Sequence, residues 1–246
     1  MAQPSFYALH VGGPALSAGS GFVWFDDFLT VAGKASTVTD TGDFLVTQDG
    51  SGSRVVSDAG NGGLLKISPA TGAGDFQSLQ WNGETCVVAQ DRIFKFAVRL
   101  RCNDTDDLDF FVGLASTDTT GSTKGPVLDS IGTPANNVEQ VGFCKTDSTS
   151  SAAFKAICTD DTAQTITSAV GTLTDDTFVE LAFEFKGGTN GYVRYFVNGV
   201  LVATHTTNLP DVGIALTPTI EIGSPTGTTA TYFEVDWIAL MGERLP

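Results

Sequence analysis

The sequence predicts an all-β protein in which two antiparallel sheets pack face to face. Three observations carry this. Apolar residues recur with period 2 through most of the chain, Gly, Ser, Thr, Asp and Asn cluster between those stretches, and helical periodicity is nearly absent. About a dozen short strands, with no dividing linker and no fixed repeat, fit a single sandwich of jelly-roll type.

The most legible element is GYVRYFVNGVLVATH, residues 191–205. Tyr192, Arg194 and Phe196 alternate with Val193, Tyr195 and Val197; after Asn198-Gly199 the alternation resumes from Val200 to His205. Asn-Gly tolerates the positive φ that a two-residue type I′ turn requires at both central positions, so a hairpin is predicted. RIFKFAVRLR (92–101) sets Phe94, Phe96, Val98 and Leu100 on one side and Ile93, Lys95, Ala97, Arg99 and Arg101 on the other. That is the pattern of a half-buried antiparallel strand. Residues 109–115, 138–145, 153–158, 178–185 and 232–240 alternate likewise. Shorter strands are expected over 22–29, 43–48, 54–57, 64–68, 77–81, 85–89, 165–170 and 217–223. Residues 1–20 lack periodicity and read as an extended N-terminal arm before one sandwich domain, 21–246.

Composition narrows the function. The 13 Lys and Arg against 28 Asp and Glu give a net charge of −15, which repels phosphate backbones and argues against nucleic-acid binding. No run is long and apolar enough to span a bilayer, so no membrane partner is expected, and the N-terminus lacks the basic start of a secretory leader. The four cysteines, Cys86, Cys102, Cys144 and Cys158, form no CxxC pair. They read as reduced, small core residues, with a Cys144–Cys158 bridge between neighbouring strands as the alternative.

From FKFAVRLR through DFFVGLAST, VGFCKTDSTS and FVELAFEFKGGTNGYVRYFVNGVLVATH to FEVDWIALMGER, the order of elements resembles concanavalin-A-like (laminin-G-like) sandwiches. More narrowly, it resembles decoration or cement proteins of tailed-bacteriophage heads with that fold. The resemblance covers about residues 90–244 and rests on element order, since VNG alone marks only a hairpin. It implies a virion structural protein on the capsid exterior, assembled in the host cytoplasm. Its partners would be the major capsid protein and its own copies, as a dimer or trimer. The alternative is a carbohydrate-binding module of a phage tail or fibre.

Glucanases of this fold place acids at i, i+2 and i+4 on one strand. Here Glu180 and Glu184 share a strand face with Ala182 between them, and Glu234 and Asp236 are followed by Ile238. Both pairs are expected to face solvent. With only His10 and His205, no Ser-His-Asp set is evident, and no P-loop or H-E-x-x-H occurs. His205 is expected at a surface strand end. The loop Asn103–Asp109 concentrates Asn103, Asp104, Asp106, Asp107 and Asp109 but lacks the glycine and closing glutamate of an EF-hand, so no metal and no cofactor are expected. Of the tryptophans, Trp237 shares alternation with Phe233 and Val235 and reads as core, while Trp24 is ambiguous. Phe6, Tyr7 and Leu9 in the arm have no core of their own and are candidate partner contacts. The expectation is a protein that is not an enzyme.

Overall fold

The structure is a computed structural model that describes residues 21–26, 28, 44–49, 52–57, 63–81, 86–117, 128–130, 133–134, 138–146, 152–224 and 231–243. In chain order its first strands are β1 (Gly21–Asp26), β2 (Phe44–Asp49), β3 (Ser53–Ser57), β4 (Leu64–Ser68), β5 (Phe76–Trp81) and β6 (Cys86–Val87). Next come β7 (Ile93–Cys102), β8 (Asp109–Ala115), β9 (Leu128–Ser130), β10 (Thr133–Pro134), β11 (Gln140–Lys145) and β12 (Ala153–Thr159). The last are β13 (Gln164–Thr172), β14 (Val179–Lys186), β15 (Tyr192–Val197), β16 (Val200–His205), β17 (Ala215–Gly223) and β18 (Phe233–Glu243). No helix occurs among the described residues. The expected arm, with Phe6, Tyr7 and Leu9, lies outside them, as does His10.

Sheet A runs β16-β15-β14-β7-β18-β4-β3, with β1 also on β18; sheet B runs β13-β12-β11-β8-β17-β5-β2, with β6 also on β17. Pairing is antiparallel throughout the described strands. This is the jelly-roll sandwich that the alternation predicts.

The alternation in β7 explains the packing. Phe94, Phe96, Val98 and Leu100 lie opposite Phe185, Phe183, Leu181 and Val179 of β14, all buried in the main core. Phe96 stacks on Phe183 with centroids 5.1 Å apart. Sheet B answers with Phe110, Val112, Leu114, Val141, Phe143 and Phe154. Across the gap Tyr195 meets the Phe143 ring edge-to-face at 5.4 Å, and its hydroxyl donates to the Ile157 carbonyl at 2.6 Å. Burying that phenol without an acceptor would cost more than the bond itself contributes, so the bond fixes where the two sheets sit against each other.

The hairpin is confirmed. Asn198 and Gly199 take φ of 47° and 77° between β15 and β16, and the Asn198 carboxamide accepts the Glu180 N–H at 2.9 Å. A Cβ on Gly199 would meet nothing within 4 Å, so a substitution there probes backbone strain alone. Gly199→Val should destabilise the fold by about 1–2 kcal/mol, read as a lowered denaturation midpoint with an unchanged m-value; an unaltered midpoint would refute this turn.

Candidate functional site

Two outward faces compete for a functional role, and burial separates them. On sheet B the outward side chains Ser78, Gln80, Gln140, Thr159, Thr217, Thr219 and Glu221 are all buried, around an apolar cluster of Phe111, Ala115, Cys144 and Ile157. Some polar groups there bond one another, while the Ser78 and Thr159 hydroxyls have no hydrogen-bond partner among the described residues. The Gln80 amide donates to Thr219 Oγ1 at 3.0 Å and to the Ser116 carbonyl at 3.1 Å, and Thr217 Oγ1 donates to the Trp81 carbonyl at 2.9 Å. That face is closed to a polymer.

Sheet A's outward face carries all four acids that the sequence singles out, with Glu180, Asp236, Arg99 and Arg101 partly exposed and Glu184 and Glu234 buried. Glu180 and Glu184 come from β14, Glu234 and Asp236 from β18, and β7 lies between them with Lys95, Arg99 and Arg101. Each acid meets a cation in the register. Lys95 Nζ is 3.3 Å from Glu184 Oε2, Arg101 Nε donates to Glu234 at 2.7 Å, Arg99 pairs with Asp236, and Glu180 sits opposite Arg99. The Arg99 and Arg101 guanidinium groups also lie over the Phe178 ring, at 4.0 and 4.7 Å.

The expectation that both acid pairs face solvent needs correcting. Glu184 is buried, receiving the Tyr192 hydroxyl at 2.7 Å and Arg194 at 3.4 Å besides Lys95. Glu180 is half-buried, and burial holds its carboxyl above the ordinary range even though Arg99 pulls the other way. Removing one partner of a buried pair strands the other charge, whereas an exposed pair contributes little. Lys95→Met should therefore destabilise by about 3 kcal/mol, and Arg99→Met by less than about 1 kcal/mol; chemical denaturation of the two variants compares them.

Trp237 is buried, as expected, but on the other face of sheet A from Phe233 and Val235. The register shifts between Val235 and Trp237, so Asp236 and Trp237 together oppose Arg99. This bulge turns Trp237 away from Phe233 and Val235, which stay in the main core, onto the outward face. There it covers Ala97, Ala182 and Ala239 together with Phe196 and Met241. Phe25 of β1, 38% exposed, continues the aromatic row with its ring centroid 6.3 Å from Trp237. The signal was in the sequence: the apolar residues of β18 change phase from Phe233 and Val235 to Ile238 and Leu240. Trp24 packs edge-to-face on Trp81 at 4.6 Å, against the main core.

His205 is not a surface residue. It is buried, its Nδ1 3.3 Å from Cys158 Sγ and its Nε2 2.9 Å from Thr167 Oγ1. Burial lowers the imidazole to about 4 and pushes the Cys158 thiol up to about 12, so both partners stay neutral and no thiolate forms. Sequence reasoning missed this pair because its members lie on different sheets. All four cysteines are buried and free. A Cys144–Cys158 bridge is ruled out by direction, since Cys158 enters the main core and Cys144 the outward cluster of the same sheet.

In the acidic loop the carboxylates serve their own turn. Asp104 Oδ1 accepts the N–H groups of Asp106 and Asp107, and Asn103 Oδ1 accepts that of Tyr232 at 2.7 Å. Among the described residues no three His, Cys, Asp or Glu side chains converge on a metal-sized site.

Glu139, before β11, is a further buried acid. Burial, with Asp211, Asp161 and Asp160 nearby, pushes it up to about 7, although it accepts the Asp211 N–H at 2.7 Å. A carboxyl raised on folding contributes stability that is present below its unfolded value and lost as pH rises through the folded one. His205 acts oppositely, its contribution being lost as pH falls from 6.5 toward 4. Glu139→Gln should thus gain on the wild type between about pH 5 and pH 8, measured as the difference in thermal midpoints.

No protein-family model and no curated protein sequence matches the chain. Solved structures do. An endo-1,3-beta-glucanase from Streptomyces sioyaensis is 14% identical, with a TM-score of 0.60 over 95% of this chain and 100% of that one. An endo-beta-1,4-glucuronan lyase from Trichoderma reesei is 12% identical, with a TM-score of 0.52 over 88% and 94%. The metal-bound carbohydrate recognition domain of Emp46p, in its potassium form, is 12% identical, with a TM-score of 0.52 over 82% and 92%. Identities this low establish the fold, a jelly-roll sandwich shared with carbohydrate-active and carbohydrate-binding proteins.

The expectation that the chain is not an enzyme does not stand beside these structures. It rested on two strands that each lack a third acid in alternation and on the scarcity of His. The fold is shared with a glucanase and a lyase, and here it gathers acids from separate strands onto one face.

Proposed function

We propose that the protein recognises a polysaccharide across the outward face of sheet A. One observation carries this: Phe25 and Phe196 end a register row with Ala239, Ala97 and Ala182 between them, and Trp237 covers those alanines from its place opposite Arg99. Of the three rings Phe25 is exposed while Trp237 and Phe196 are buried beneath, beside the Arg99, Asp236 and Glu180 side chains. A sugar ring offers an apolar C–H face that stacks on aromatic rings and hydroxyls that bond carboxylates and guanidinium groups, so this combination suits a glycan. With a net charge of −15, a neutral polymer fits better than a polyuronate. The carbohydrate-active and carbohydrate-binding neighbours of the same fold support the reading.

The test is affinity electrophoresis in gels containing laminarin, lichenan or starch. Retardation by one of them, lost in Phe25→Ala and Trp237→Ala, is expected; Phe25→Ala removes a partly exposed ring and spares the fold. No retardation in any gel overturns the proposal. The same glycans are assayed for release of reducing ends. Turnover abolished by Glu180→Gln would make this face an active site, with Glu180, whose carboxyl burial holds above the ordinary range, as the acid.

A second reading keeps the virion setting. The element order over residues 90–244 resembles phage head decoration proteins, and the charge of −15 disfavours packaged DNA. It would set the protein against the major capsid protein, with residues 1–20 as a docking arm. Binding to undecorated heads, weakened by deleting residues 2–18, is the expected result.

A further inference from the structure

The connection from β16 to β17, residues 206–214, leaves the edge of sheet A and enters the interior of sheet B. Hydrogen bonds fix it at both ends. At its start the Thr207 carbonyl accepts the Thr165 hydroxyl at 3.0 Å and the Cys158 thiol at 3.4 Å, and the Asn208 amide donates to Thr165 Oγ1 at 3.1 Å. At its end the Gly213 N–H donates to the Val88 carbonyl, and the Val88 N–H to the Ile214 carbonyl, both at 2.8 Å. Between these anchors Leu209 packs against the main core and Pro210 is buried. One further bond reaches the middle: the Asp211 N–H donates to Glu139 Oε2 at 2.7 Å.

Glu139 is an anchor of unusual character. It is 5% exposed, and the charged groups that act on it are Asp211 on the connection and Asp160 and Asp161 on the turn between β12 and β13, all carboxylates. From β8 it meets the Ser116 N–H, which donates to the Glu139 carbonyl at 2.9 Å and brings no charge. A further negative charge in this place is opposed both by burial and by three like charges, so the closed arrangement favours the protonated carboxyl. The start of the connection has a different character. His205, beside it, is buried against Cys158, Thr167 and the Tyr195 ring, and none of these is charged.

We propose that residues 209–212 form a strap that Glu139 latches to the start of β11 at mildly acidic pH and that lifts as the pH rises past neutral. Asn208 and Gly213, with φ of 52° and 100°, turn the chain on either side of it. In the closed strap burial pushes Glu139 up to about 7; once the strap lifts, water reaches the carboxyl and it returns toward its ordinary 4.5. The closed strap therefore holds the proton more tightly. Its advantage is complete below 4.5 and is lost as pH rises through 7. Lifting uncovers Leu209 and Pro210, while the bonds of Thr207 and Gly213 keep the two ends in place.

Amide hydrogen exchange of the full chain, followed by NMR and corrected for the hydroxide-catalysed intrinsic rate, tests this. The opening constant of the Asp211 amide should rise at least about tenfold between pH 5 and pH 8. At pH 8 it should exceed that of the Phe183 amide in β14 by at least about tenfold, because a strap opens without the core. Glu139→Gln keeps an acceptor oxygen and removes the titration, so its Asp211 opening should not vary with pH. Asp211→Asn, at an exposed position, keeps the N–H and removes one of the three like charges, so the rise should move to lower pH; this variant carries the test if Glu139→Gln does not fold. No rise in the wild type, the same rise in Glu139→Gln, an unmoved rise in Asp211→Asn, or equal opening of Asp211 and Phe183 would each overturn the strap.

Discussion

Both faces of sheet A depend on β7. Its inward residues, Phe94, Phe96, Val98 and Leu100, stand against β14 in the main core. Its outward residues, Lys95, Arg99 and Arg101, neutralise acids on β14 to one side and β18 to the other. Period 2 forces this division. Slipping β7 by one residue would bury three cations in the sandwich and expose two phenylalanines. The outward ion pairs contribute modestly to stability, apart from the buried Lys95–Glu184 pair, but they penalise every other register of the three strands.

The two sheets are coupled by a second constraint. Tyr195 is fully buried, and its hydroxyl donates to the Ile157 carbonyl on the opposite sheet. Next to it, His205 and Cys158 join the same two sheets near their edges. Burial keeps both groups neutral near pH 7, and the seam loses stability as pH falls from 6.5 toward 4. The same seam holds β13 and β16 side by side.

The sandwich isolates its two outward faces from each other and gives them different characters. Sheet B's outward side is buried and only partly satisfied by its own hydrogen bonds. Sheet A's outward side sets the exposed Phe25 ring over buried Trp237 and Phe196, beside half-buried charges. An aromatic row beside carboxylates and guanidinium groups provides stacking and directional hydrogen bonds within reach of one another, the two requirements for holding a sugar.

By itself the sequence determined the fold class, most strands and the 198–199 turn, because alternation and turn chemistry are local properties of the chain. It also identified Glu180, Glu184, Glu234 and Asp236 as the acids to watch. Only the tertiary structure decided what they do, since whether an acid faces water depends on the strands beside it, and Lys95, Tyr192 and Arg194 lie far from Glu184 along the chain or across a turn. Trp237 was misjudged because a one-residue bulge reverses every side chain beyond it, and only the changed phase of Ile238 and Leu240 hinted at that. The Cys158–His205 and Thr167–His205 contacts link segments on different sheets. Such contacts follow from how the sheets pack, and no periodicity within a strand encodes them.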